Sequence, residues 1–474
     1  MIDKAMPRIR VLIMAEAVTL AHAARPAALA AGLDPDRFEV HFATSPRFDA
    51  QLGPLPHTRH HLDSIPTARF LAALDRGTPV YTPDDLRGYV REDRRLLADV
   101  RPDVVVGDFR LSLSASARLA GVPYATITNV YWSTAARQRF PLPELPLTRA
   151  LGVRAAGLVF PLARPVAFAL HTRPLNRVRR EHGLPSLGPD LRRTYTDADH
   201  VLFADAPELA PPHVPAPGHE FLGPVLWEPA AEVPALPVGR PLVYVTLGSS
   251  GRGRLLAAVV RAFAGLPVTV VAASAGAGLP DALPDNVIAA DYLPGAALAR
   301  RAALVVCNGG SPAVQQALAA GAPVLGLAGN MDQHLSMRSV TAAGVGLLVR
   351  SEHATPAAIA RAARRLLDEP GPGPGRGEPE HEPSEHEPEP GHRPPDVLSS
   401  APAEHALHTA TNESPTLLPG LVRKGLSYDR VLRKGLSYGE GRGFRLRARE
   451  MAGRFAAYDA PAAFARAVER LSGQ

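Results

Sequence analysis

Between residues 303 and 346 the chain reads as a strand, a glycine-rich turn, a helix and a second strand, an order that calls for a parallel sheet. The run 304–307 (Leu-Val-Val-Cys) is apolar enough for a buried strand. Asn308-Gly309-Gly310 then allows a turn through which backbone can approach a ligand closely. Ser311 is suited to cap a helix and Pro312 to occupy its first position. The helix is expected to run to about Ala320 and stop at Gly321, with Pro323 beyond it and a second strand over 324–327. An ordinary βαβ crossover has this outline. A phosphate site has it too, because a helix N-terminus presents backbone N–H groups without helical partners.

A chain of 474 residues exceeds one hydrophobic core, so two domains are expected. The composition, 46% hydrophobic and 21% charged, is that of a soluble globular protein. Cys307 is the single cysteine, which excludes an intramolecular disulfide and suggests a reducing, cytoplasmic setting. The run 10–14 is too short for a signal-peptide core and reads as a first strand. A net charge of +6 is small for this length, and no zinc spacing or aromatic-basic platform accompanies it, so nucleic acid is not an expected partner.

Strand patterns recur at 11–14, 38–43, 101–108, 124–128 and 201–204, with helical periodicity over 84–100 and 111–120. A second series begins at 242–246 and continues at 268–272, 287–289, 304–307 and 324–327. Strands alternating with helices imply an α/β fold with parallel sheets covered on both faces. The proline-rich stretch 229–241 is the expected linker between an N-terminal domain, 1–228, and a C-terminal domain, 242–369. Residues 370–443 carry Gly-Pro and Glu-Pro runs and a near-repeat of Arg-Lys-Gly-Leu-Ser-Tyr. That composition reads as a disordered insertion before C-terminal helices over 444–474. Residues 137–193 hold eleven arginines against three acids, a local balance of +8, around an apolar stretch at 155–170 interrupted by Pro161 and Pro165. It reads as a pair of helices with a solvated basic face, or as a lip for an anionic membrane surface or an amphiphilic acceptor.

Two parallel sheets create a cleft at the carboxyl ends of their strands. Two turns of the second series face it as candidate anion contacts: 246–250, with Gly248, Ser249 and Ser250, and 308–311, with Asn308, Gly309, Gly310 and Ser311. Asp332 and Gln333, expected in a loop after a strand, offer a carboxylate and an amide to sugar hydroxyls.

These pieces, with Leu222-Gly-Pro-Val-Leu-Trp227, Asp291-Tyr-Leu-Pro294, Ala317-Leu-Ala-Ala-Gly-Ala-Pro323 and Gly344-Val-Gly346, resemble bacterial members of the UDP-glycosyltransferase superfamily, including macrolide-type enzymes. The resemblance covers about residues 200–367 and the final helix. It implies the GT-B fold, two Rossmann-like domains facing across a cleft, and a nucleoside diphosphate sugar as co-substrate, with no metal and no other cofactor. Carried onto this chain, it implies that Ser249 and the 308–311 turn contact the diphosphate, that Tyr292, Leu293 and Pro294 lie by the base, and that Gln316 faces the ribose. Asp332 and Gln333 would hold the sugar hydroxyls. Asn308, Ala313 and Gln316 stand where the family usually has histidine, threonine and glutamate. In the N-terminal half the resemblance implies a general base, His22, in a loop after strand one, oriented by Asp108 at the end of the 103–107 strand. An imidazole suits that work near neutral pH, and a carboxylate fixes its tautomer. Glu16 is a reserve for the base or an acceptor contact, and His57, His60 and His61 are expected in a polar loop facing solvent.

The resulting reading is an inverting glycosyltransferase moving a hexose from a UDP- or dTDP-linked donor to a hydroxyl of a small, lipophilic acceptor. Its rivals are a lipid glycosyltransferase at the membrane surface and a nucleotide-sugar-binding protein with little catalysis.

Overall fold

Among the described residues every strand pairs in parallel, and the strands form two sheets. The computed structural model describes residues 8–214, 216–248, 254–276, 278, 282–367 and 443–473. The 370–443 insertion, save Gly443, and Ser249 and Ser250 lie outside the described residues. The first sheet contains β1 (Ile9–Ala15), β2 (Phe38–Thr44), β3 (Thr58–His61), β4 (Val104–Asp108), β5 (Tyr124–Thr128), β6 (His200–Phe203) and β7 (His219–Phe221). Their order is β3-β2-β1-β4-β5-β6-β7. The second contains β8 (Leu242–Thr246), β9 (Thr269–Ala273), β10 (Val287–Ala290), β11 (Ala302–Cys307), β12 (Val324–Ala328) and β13 (Gly346–Arg350), in the order β10-β9-β8-β11-β12-β13.

The near-continuous apolar strands predict burial on both faces, and β4, β5, β9 and β12 are buried throughout. In each sheet the strand order reverses once, between β1 and β4 and between β8 and β11. Ligands of doubly wound sheets bind outside the strand ends at such reversals. Both the 308–311 turn, which follows β11, and Asp108, which ends β4, sit at one.

Seven helices bear on the site: α1 (Leu20–Ala30), α2 (Pro146–Glu181), α3 (Gly295–Arg301), α4 (Ser311–Ala319), α5 (Met331–Ala342), α6 (Phe444–Phe455) and α7 (Ala460–Ser472). Met451 and Phe455 of α6 join the core beneath α4. Phe464 and Val468 of α7 are fully buried with Val11, Ala27 and Val104 in the core of the first sheet. The last two helices thus pack on different sheets.

Two expectations about local structure are corrected. The apolar part of 137–193 is not interrupted at its prolines. Residues 153–181 of α2 are continuous through Pro161, Pro165 and Pro174, and the backbone breaks at Gly152 (φ +72). Pro161 and Pro165 are exposed, so water satisfies the carbonyls whose helical donors the rings remove. The segment 58–61, which reads as polar loop, is the edge strand β3, where His60 stacks on His41 of β2.

Candidate active site

The N-terminal half of the site grows from two adjacent strand ends. β1 and β4 pair in a register that sets Ala15 beside Asp108. The chain leaving β1 turns through 16–19 into α1, and His22 is on the first turn of that helix rather than in a loop. Its Nδ1 lies 2.9 Å from Asp108 Oδ1. Phe109 has left-handed backbone (φ +58), a conformation unusual for an aromatic residue. Its ring stacks on the imidazole with centroids 4.7 Å apart. The imidazole is therefore held at one edge and one face, with Nε2 left for the cavity.

Asp108 is fully buried, and His22 is not its only partner. Arg25, one helical turn beyond His22, donates to both carboxylate oxygens, from Nε at 2.7 Å and Nη2 at 2.8 Å. Burial pushes the Asp108 carboxyl up, but the Arg25 charge and the hydrogen bonds from His22 and Arg25 outweigh it and hold it below the usual carboxylate range. Arg25 also donates to Asn129 Oδ1 at 3.2 Å. Asn129 in turn donates to Asp205 Oδ1 at 2.8 Å and to Ser311 Oγ at 3.0 Å. Gln315 donates to Asp205 and to the same Ser311 oxygen. A continuous chain of hydrogen bonds thus runs from His22 at one sheet to the 308–311 turn at the other. Burial pushes Asp205 up to about 6 despite the donors from Asn129 and the Val130 backbone.

Glu16 does not reach the cavity. It is wholly buried, accepts from Tyr89 and Arg110, and serves with Asp93 to neutralise the buried Arg110 guanidinium. Structural pairing explains it without a role as base.

On the C-terminal side, Gly310 is the N-cap of α4, and Ser311 and Pro312 are its first two residues, so the helix starts one position earlier than the sequence suggests. Asn308 shapes the turn into the helix, its Oδ1 accepting from Gly310 N at 3.0 Å. Gly309 has φ +81, and a Cβ there would meet Met337 Cγ at 2.6 Å, so both conformation and space require glycine. Two N–H donors occupy the lone pairs of Ser311 Oγ, so its own proton is available to an acceptor in the cleft. The N–H groups of Ser311 and Ala313 lie in the first turn, where no helical carbonyl precedes them.

Asp332 and Gln333 are in the first turn of α5, not in a loop. Gln333 completes a capping box: Asn330 accepts from Gln333 N, and Gln333 Oε1 accepts from the backbone N–H of Gly329 and Asn330. That occupies its carbonyl oxygen and leaves its amide N–H₂ for a ligand. Asp332 Oδ1 accepts from the indole of Trp132, which follows β5, at 2.8 Å. Gln316 donates to the Trp227 carbonyl at 3.1 Å. Glu228, just before the linker, accepts from Ala296 N and Ala297 N of α3.

One cavity of about 390 Å³ brings these groups together. His22, Asp108, Gly248, Tyr292, Leu293, Asn308, Gly310, Ser311, Gln316, Asp332 and Gln333 line it, while Gly309 and Pro294 do not. Its N-terminal side is aromatic, with Phe70, Phe109, Trp132, Phe160, Phe168 and Tyr195. The cavity therefore pairs a greasy chamber, which carries His22 at its edge, with a polar chamber rich in N–H and hydroxyl donors. Arg25, Asn129, Asp205 and Trp132 are missing from the sequence reading. Asn129 and Asp205 each lie just beyond a parallel strand, at the same topological position that singles out Asp108, so that signal was available.

A family model for the erythromycin biosynthesis protein CIII-like C-terminal domain matches residues 254–377. Over 364 residues the chain is 52% identical to a PGL/p-HBAD biosynthesis glycosyltransferase of Mycobacterium tuberculosis, covering 76% of this chain and 85% of that protein. It is 53% identical to a PGL/p-HBAD biosynthesis rhamnosyltransferase of Mycobacterium bovis, covering 76% and 81%. The chain is a glycosyltransferase of the UDP-glycosyltransferase superfamily. Among solved structures, this glycosyltransferase resembles the spinosyn rhamnosyltransferase SpnG with a TM-score of 0.59 at 18% identity, covering 98% of this chain and all of the other. The kitacinnamycin glycotransferase gives 0.58 at 23% identity, covering 77% and 92%. Those likenesses establish the GT-B fold of the glycosyltransferase.

Proposed function

We propose that this glycosyltransferase inverts the anomeric centre of a nucleoside diphosphate hexose while transferring the sugar to a hydroxyl of a lipophilic acceptor. The observation that carries the reading is that His22, backed by Asp108, and the 308–311 turn line one cavity from opposite sheets. His22 Nε2 takes the proton of the acceptor hydroxyl. The freed oxygen attacks the anomeric carbon as the bond from that carbon to the phosphate oxygen breaks, and the nucleoside diphosphate leaves with the bonding pair. Asp108 steadies the imidazolium. The charge on the leaving group meets the Ser311 hydroxyl and the first-turn N–H groups of α4, dipoles already oriented before reaction. Asp332 and the Gln333 amide hold the sugar. The aromatic chamber suits an apolar acceptor, which its rings would take out of water.

A relative named a rhamnosyltransferase, sharing 53% identity, favours a deoxyhexosyl donor such as a rhamnosyl nucleotide. Thermal shift against a panel of UDP- and dTDP-sugars, followed by transfer to a hydrophobic phenol and NMR of the product anomer, tests the proposal. A donor at ~100 times its Kd adds ~2.7 kcal/mol of stability. A product with retained configuration would reject the inverting mechanism, and donor binding without transfer or hydrolysis would reject the catalytic assignment.

A further inference from the structure

Helix α2 presents two opposite faces to two different environments. Phe160, Arg164, Ala167, Phe168 and His171 face inward and line the cavity. At 3.6 residues per turn, Leu158, Leu162, Val166 and Leu170 fall on the other side of the helix. All four are exposed, by 80%, 80%, 63% and 41%. They stand one turn apart, a stripe roughly 18 Å long at 1.5 Å per residue. Arg173, Arg177 and Arg180 continue the same stripe and are also exposed. No Asp or Glu occurs between Glu144 and Glu181.

We propose that this outer face of α2 docks the enzyme on an anionic lipid surface. The apolar stripe lies at the boundary between headgroups and acyl chains, with Arg173, Arg177 and Arg180 at the phosphates. Three observations select this occupant. The stripe passes directly from apolar to cationic, so one exposed face offers side chains both to acyl chains and to phosphates. The absence of acids over 145–180 matches a negative partner and gives a cationic one nothing to pair with. The aromatic chamber lies immediately behind the face, on the same helix.

Length and composition alone would let α2 cross a bilayer, but its packing does not. Ala156 and Phe160 are buried against Leu142, and Leu175 and Val178 are buried in the core of the first sheet's flank. Pro161, Pro165 and Pro174 also remove the helical donors of the Gly157, Pro161 and Leu170 carbonyls. Water at headgroup depth satisfies such groups and hydrocarbon does not. The helix therefore lies on the surface.

The purpose of this docking, presenting a lipophilic acceptor to the chamber, rests on the function proposed above, but the contact itself is measured separately. The full chain is sedimented with phosphatidylcholine vesicles and with vesicles that also contain phosphatidylglycerol. Wild type should bind the anionic vesicles, with affinity falling roughly tenfold or more from low to high salt. Leu158→Glu/Leu162→Glu should lose roughly tenfold in affinity, and Arg173→Glu/Arg177→Glu should flatten the salt dependence. Both variants should fold, since these side chains are exposed, and should keep wild-type activity on a water-soluble acceptor. Docking is overturned if wild type fails to sediment at low salt, or if the leucine variant sediments equally well. It is likewise overturned if wild type ignores vesicles but forms a dimer that the leucine variant dissociates, which would make the face a self-association surface. Loss of transfer activity with every donor, alongside intact vesicle binding, would instead count against the function and leave the docking standing.

Discussion

Asn129 and Ser311, 182 positions apart, share a hydrogen bond of 3.0 Å that joins the strand ends of two different sheets. Asn129 also links Arg25, and through it Asp108, to that turn: its carbonyl oxygen accepts from Arg25 and its amide donates to Asp205 and Ser311. Replacing it with alanine strands buried polar partners on both sides. Asn129→Ala should lower unfolding free energy by about 2–4 kcal/mol, read by urea denaturation. It should also weaken donor binding more than acceptor binding. Equal effects on the two would deny that the bond orders the donor turn.

His22→Ala should reduce transfer by ~10²–10⁴ while the thermal shift with donor stays near that of wild type. Asp108→Asn should lower kcat comparably, because an amide can present an N–H to Nδ1 and stabilise the wrong tautomer. A His22 variant retaining wild-type kcat would remove it from the reaction.

Arg25 neutralises a carboxylate that has no access to water. Arg25→Met keeps volume but leaves Asp108 with His22 as its remaining side-chain partner at this end. A loss of about 3–5 kcal/mol is expected for a buried charge deprived of its partner. Calorimetry on Arg25→Met and on Arg25→Met/Asp108→Asn separates the terms, because removing both charges should restore much of the loss.

Trp132→Phe deletes the indole N–H that positions Asp332 and keeps the ring in the aromatic wall. KM for the donor should rise several-fold with a smaller change in kcat. Asp332→Ala should be more severe, since it removes the carboxylate itself. If Trp132→Phe changed only acceptor KM, the indole would serve the chamber and not the donor.

The interface between the sheets carries an acid-sensitive element. His334 of α5 is buried, and burial, with the Arg350 charge, lowers its pKa to about 3. Glu144, 3.9 Å away, is taken by Arg350 at 2.8 Å and does not rescue it. A histidine with a depressed folded pKa contributes stability above its unfolded value near 6.5, and that stability is lost as pH falls from there toward 3. At pH 5 the loss should be about 2 kcal/mol. Burial raises Glu144, so its own contribution runs in the opposite sense, favouring the fold toward low pH. Denaturation of wild type and His334→Leu at pH 7 and pH 5 isolates the histidine: the variant should lose less stability on acidification.

Much of the architecture was legible because burial on both faces leaves a strong mark. The apolar runs at 104–108, 124–128, 268–272 and 304–307 are strands, and Gly309 is where a turn needs glycine. The short edge strands β3 and β7 and the helix α5 were not legible. Edge strands carry mixed polarity, and α5 begins with Met331-Asp332-Gln333, whose capping role depends on Asn330 and on backbone N–H groups that sequence does not place. In α2, prolines that interrupt an apolar run on paper are tolerated because their orphaned carbonyls face water.

By itself, the sequence determined two parallel α/β domains and the glycine turn after β11, since strand periodicity and turn chemistry are local properties, and its resemblance to a family singled out His22, Asp108 and Asp332. The tertiary structure alone decided that Asp108 is shared between His22 and Arg25, that Asn129 reaches Ser311, and that Trp132 holds Asp332. It also decided that Glu16 is spent on Arg110 inside the core. These are contacts between residues tens to hundreds of positions apart. They depend on which strand ends the sheet order brings together and on which charges the fold takes out of water, and neither is written in any single stretch of chain.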